Sequence, residues 1–180
     1  MDDPTNINYS LSFEDIKNKL NKFYPDDKFR MELYDNLINF NTIDDLFGND
    51  DIIFILYRFG NNYGHWCCLT RQTEDPKYIT FFDSYGKFID DTLDSTPIIY
   101  KPELSDLLYR HLEENKKNQV EYNNYQMQQF GDNISTCGRF CILWSLYKDM
   151  PIDNFISILK NIQKKGYNLD QVVTEITNRI

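Results

Sequence analysis

Residues 138–149 (GRFCILWSLYKD) are apolar on nearly every side: Phe140, Ile142, Leu143, Trp144, Leu146 and Tyr147 leave no polar stripe. A helix with that pattern has to be enclosed by the rest of the fold. Pro151 ends it. The material to enclose it lies upstream. Asp51 to Phe59 (DIIFILYRF) is a compact run rich in Ile and Phe and reads as a buried strand. His65 to Arg71 and Tyr78 to Asp83 predict two more strands, joined through the turn residues Thr73-Glu74-Asp75-Pro76.

Around these strands the pattern is helical. Ser12 predicts an N-cap for a helix through Ile16, Leu20 and Phe23, ended by Pro25. A second helix is predicted over Phe29, Met31, Leu33, Leu37 and Ile38. Pro102 to Glu114 places Leu104, Leu107, Leu108 and Leu112 on one face, Val120 to Met127 reads as a fourth strand, and two amphipathic helices close the chain. Hairpin-connected strands flanked by helices make an α+β fold with a central, mainly antiparallel sheet. At 180 residues the chain predicts one domain: a helical N-terminal lobe over 1–50, a core over 51–150 and C-terminal helices over 151–180.

A net charge of -9 argues against nucleic acid as the main partner, because phosphate binding needs clustered Lys and Arg. The doublets Asp44-Asp45, Asp50-Asp51 and Asp90-Asp91 lack calcium-loop spacing and read as solvated surface. No apolar run approaches a membrane span of about 20 residues. The four cysteines, Cys67, Cys68, Cys137 and Cys141, are spaced neither as a disulfide framework nor as a CxxC metal site, and both histidines are isolated. A reducing compartment and no metal or other cofactor are the expectation.

The chemistry concentrates in three segments. A hairpin centred near Glu74 pairs residues whose numbers sum to about 148, which sets His65 opposite Asp83. A one-residue shift would move the pair to opposite faces. Cys137 opens the buried helix, where unpaired N–H groups lower a thiol's pKa and its own N–H can meet an oxyanion. Gly138 beside it would let a substrate backbone approach. Gln126, Gln128 and Gln129 precede the loop and offer a neutral amide donor. Cys67, Cys68 and Cys141 read as core, and His111 as a buried or groove-edge residue on the leucine face of its helix.

The order His65-Trp66, Asp83 in FFDSYG, a glutamine, and then STCGRFC resembles the adenain-like and SUMO-protease-like clan of cysteine peptidases, the viral members most of all. The resemblance spans about Ile52 to Asp149. It implies a papain-like fold in the permuted His-Asp-Cys order, with His65 as base, Asp83 orienting it, Cys137 as nucleophile, and Trp66 as the aromatic packed beside the base. It also implies a glutamine in the oxyanion hole, for which Gln129 is preferred, then Gln128, then Gln126. The adenovirus enzyme is basic and is activated by DNA and a peptide. This acidic chain keeps only an activating peptide among the expected partners.

The resulting expectation is a monomeric thiol endopeptidase that matures viral capsid or other structural precursors next to small residues such as Gly. It would work in the virion or in the virus factory of the host cytoplasm. Two other readings are an isopeptidase acting on a host ubiquitin-like modifier and a catalytically inactive scaffold.

Overall fold

A computed structural model describes residues 5–24, 28–60, 63–96 and 101–180. Its centre is a five-stranded sheet in the order β1 (Phe29–Leu33), β2 (Ile52–Arg58), β3 (Gly64–Arg71), β4 (Tyr78–Asp83), β5 (Gln119–Tyr122). The three central strands are antiparallel, and each edge strand joins them in parallel. The helices are α1 (Phe13–Leu20), α2 (Ile43–Phe47), α3 (Glu103–Glu114), α4 (Cys137–Leu146), α5 (Ile152–Lys164) and α6 (Leu169–Arg179).

Helices cover both faces of the sheet, which is why β2 reads as a continuous apolar run rather than an alternating one. On one face Phe54, Trp66, Cys68 and Phe82 pack against α4, with α1, α5 and α6 around it. The Trp144 ring stacks on Phe82 at 5.7 Å, and its indole N–H donates to Thr70 Oγ1 at 3.1 Å. The other face sets Ile53, Ile55, Cys67, Leu69 and Phe81 against Leu104, Leu107 and Leu108 of α3 and against α2. Helix α4 is buried along almost its full length, as its composition demands.

Several expectations need correction. Phe29 to Leu33 form a strand, not a helix. Phe29 and Met31 alternate toward the α4 face, and pairing with β2 overrides the helical spacing that Leu37 and Ile38 suggested. Tyr34–Asn39 follows as a 3₁₀ segment, with Leu37 buried and Ile38 exposed. The N-terminal part is therefore not a purely helical lobe. Ser12 caps α1, with Asp15 completing a capping box, but the helix ends at Leu20, and the predicted stop at Pro25 lies outside the described residues. The fourth predicted strand is shortened to Gln119–Tyr122. Asp50 and Asp90 are buried, not solvated. Arg30 Nε bonds Asp50 at 3.0 Å, while Asp90 accepts from the hydroxyls of Tyr34 and Tyr57 and from the Ser105 N–H. Among the described residues no helix is long and apolar enough to cross a membrane.

Candidate active site

Strand β3 runs past its partner. The β3–β4 ladder ends at Cys67 opposite Asp83, so Gly64, His65 and Trp66 extend beyond the last paired residue. The hairpin therefore pairs residues summing to 150, two more than the expected 148, because its loop closes with the Gln72 N–H on the Tyr78 carbonyl. A two-residue shift keeps every side chain on its face. His65 and Asp83 thus meet diagonally rather than directly opposite, with His65 Nε2 3.0 Å from Asp83 Oδ1.

The carboxylate is fixed from every side. Oδ1 also accepts the Tyr85 N–H at 2.7 Å, while Oδ2 accepts from the Cys67 thiol and the Thr92 hydroxyl, each at 3.4 Å. Asn123 clamps the Asp83 backbone at both its N–H and its carbonyl. Burial of Asp83 pushes its pKa up. The His65 charge and hydrogen bond, helped by the Tyr85 N–H, outweigh that and hold it below the ordinary carboxylate value.

Cys137 begins α4 and is buried. Burial raises its thiol pKa. A hydrogen bond to His65 and the imidazolium charge outweigh this, aided by the backbone N–H groups of Trp66 and Gly138, and the net shift is downward. His65 moves the opposite way. Desolvation lowers its pKa, but Asp83, then Cys67 and Cys137, carry it well above the ordinary imidazole value. Because Nε2 is engaged by Asp83, Nδ1 is left for Cys137. This geometry favours a thiolate–imidazolium pair oriented by a buried acid.

The glutamines separate clearly. The Gln129 side chain is exposed, as is that of Gln126, whose amide donates to the Gln128 carbonyl at 3.0 Å. Gln128 alone turns inward. Its Oε1 accepts the Ser84 hydroxyl at 2.8 Å, and its Nε2 donates to the Tyr85 hydroxyl at 3.0 Å and to the Ile134 carbonyl at 3.3 Å. The glutamine that turns into the site is therefore Gln128, not the preferred Gln129. Two backbone bonds to the Ser84 carbonyl, from Met127 and Gln128, set which side chain faces in.

Two further roles shift. Neighbouring strand residues point to opposite faces, so Trp66 turns from His65 toward α4 and donates its indole N–H to the Leu11 carbonyl. The ring stacked on His65 is Tyr85, with centroids 4.8 Å apart, and Phe130 stacks on Tyr85 in turn at 4.7 Å. Gly138 serves packing rather than substrate approach, since a Cβ there would lie 3.2 Å from Trp66 Cδ1. His111 is buried, with Nε2 3.4 Å from the Lys77 carbonyl. Cys67, Cys68 and Cys141 are buried free thiols. Of these Cys67 is more than filler, because it touches Asp83.

His65, Cys67 and Asp83 bring one nitrogen, one sulfur and one oxygen donor within 4.8 Å of one another, the only such metal-capable group among the described residues. A cation there would have to displace the His65–Asp83 bond. Tyr85, two residues beyond the acid, was within reach of the sequence, since its N–H closes a turn on Asp83. Asp170 was not. It arrives from α6, 34 residues from Thr136, whose hydroxyl it accepts.

The chain is 35% identical over 160 residues to the uncharacterized protein V9 of Sputnik virophage, covering 84% of this chain and 87% of that protein. No protein-family model matches. Similar solved structures include ChlaDub1 of Chlamydia trachomatis, with TM-score 0.47, 14% identity, and 92% of this chain aligned to 72% of that one. Another is the Ulp1 protease domain in complex with Smt3, the yeast SUMO orthologue, with TM-score 0.44, 18% identity and coverage of 94% and 77%.

Proposed function

The chain belongs to the family of Sputnik virophage protein V9, and from that premise we propose that its Cys137 site is that of a thiol endopeptidase. One observation carries the reading: a buried thiol at a helix N-terminus whose pKa the His65 imidazole lowers, that imidazole being held 3.0 Å from a buried carboxylate.

In this mechanism the Cys137 thiolate attacks the scissile carbonyl. The Cys137 N–H and the Gln128 amide hold the tetrahedral oxyanion, Gln128 giving up its longer bond to Ile134. His65 then protonates the departing amine. Water, deprotonated by His65, hydrolyses the thioester and restores the pair. Asp83 keeps the imidazole in orientation and stabilises its charged form throughout. Cleavage next to small residues in viral structural precursors is the substrate reading we favour, chosen because the 35% identical relative comes from a virophage.

The test incubates the chain and its Cys137→Ala variant with virophage structural polypeptides and maps new N-termini by mass spectrometry. Parallel reactions contain ubiquitin and SUMO conjugates. New termini that need Cys137 in the structural polypeptides support the proposal. Turnover of a modifier conjugate alone replaces it with the isopeptidase reading, and no turnover of either, with an unreactive Cys137, leaves a scaffold.

A further inference from the structure

Thr136 occupies the N-cap of α4, yet its side chain caps nothing. A threonine at this position ordinarily accepts from the N–H of the second or third helical residue, here Gly138 or Arg139. Instead its hydroxyl donates away from the helix, to Asp170 Oδ1 at 2.5 Å. The other oxygen of the same carboxylate accepts the Gln129 N–H at 3.1 Å. Asp170 is fully buried at the start of α6, and its two oxygens grip residues 129 and 136. Those are the two ends of the loop between Gln128 and Cys137.

We propose that Asp170 is a positioning residue that, by holding both ends of this loop, sets the spacing between the two oxyanion donors of the site. The inference rests on the thiol-peptidase reading. Without Asp170 both ends of this loop would lose their anchor. At the same time the Gln128 amide would lose its fixed distance from Cys137. A misplacement of about 1 Å, even from a change far from the chemistry, can cost on the order of 100-fold in rate. Burying a carboxylate without a cationic partner is costly, and these two hydrogen bonds with the residue's own backbone N–H offset only part of it, so that burial leaves the Asp170 pKa above its ordinary value.

The test needs no natural substrate. Iodoacetamide alkylates a thiolate without forming an oxyanion, whereas p-nitrophenyl acetate acylates it through a tetrahedral oxyanion, with the S–C bond forming and p-nitrophenolate leaving. The ratio of the two rates at Cys137 therefore reads the oxyanion hole separately from the thiolate. Asp170→Ala is expected to lower that ratio by about 10- to 100-fold while alkylation stays within about threefold. Asp170→Asn should recover most of it, since one amide oxygen and one amide N–H can still hold both loop ends.

An unchanged ratio in Asp170→Ala would overturn the proposal. So would alkylation and acylation falling together, because Asp170 would then merely hold the fold. If Asp170→Ala does not fold, Thr136→Val decides by the same ratio, with a fall of about three- to tenfold expected and no change overturning it. Wild-type Cys137 acylating no faster than the denatured chain would instead sink the peptidase reading.

Discussion

Cys137 and Cys67 are both buried, and both stand against the same His65–Asp83 pair, yet their thiols are driven in opposite directions. Cys137 meets the imidazolium and two backbone N–H groups at a helix start. Cys67 sits in mid-strand on the acid side, where burial and the Asp83 carboxylate push its thiol well above the ordinary range. Cys141, one turn into α4, is likewise raised by burial and by its neighbour Cys68. Nearness to a histidine therefore does not make a nucleophile. The balance of groups that stabilise the anion does, and among these three thiols it favours the anion only at the α4 N-terminus.

The largest way to break the comparison is to exchange the roles. Cys137→Ala is expected to abolish peptide hydrolysis, a loss of at least about 10⁴-fold in kcat, whereas Cys67→Ala should cost no more than about tenfold. Progress curves on one cleavable peptide would check both, and comparable losses would erase the distinction.

Asp83→Asn comes next, with a fall of about 10³- to 10⁴-fold in kcat, because the amide cannot stabilise the imidazolium. The sign of its pH effect follows from the lowered acid pKa. Asp83 contributes stability above the unfolded carboxylate value, and that contribution is lost as pH falls through the folded value. Acid unfolding of the wild type should therefore have a component that Asp83→Asn lacks, visible as a difference between their midpoints.

Smaller effects sharpen the picture. Tyr85→Phe keeps the stack on His65 but removes the hydroxyl that receives the Gln128 amide, so kcat should drop by about tenfold with Cys137 alkylation unchanged. Gly138→Ala places a methyl 3.2 Å from Trp66 and should lower stability by about 1–3 kcal/mol, measured by urea unfolding.

Much of this architecture was legible in the residues. The limits of β4 were read as they stand, since Tyr78 and Asp83 are bounded by turn residues, and the all-apolar pattern of α4 demanded burial that the fold provides. The strand Phe29–Leu33 was missed because its apolar residues at 29, 31 and 33 run into Leu37 and Ile38, a mixture of both periods that only parallel pairing with β2 resolves. The hairpin register was off by two because the loop centres on Asp75 rather than Glu74. Parity kept His65 and Asp83 on one face all the same. Gln128 could not be told from Gln129 by spacing, since backbone bonds to Ser84 decide which amide turns inward. Asp170 is invisible locally, because its meaning lies in the packing of α6 against the loop before α4.

The central claim is the thiolate–imidazolium pair, and the direct measurement is the rate of iodoacetamide alkylation at each cysteine across pH, in wild type and His65→Ala. The His65 pKa is raised and that of Cys137 lowered, so the pair persists between them. Cys137 should react well below the pH range in which an ordinary thiol ionises. Cys67 should stay silent in the folded chain, and His65→Ala should move the Cys137 inflection up toward the ordinary thiol range. A Cys137 that titrates as an ordinary thiol in both proteins would contradict the account.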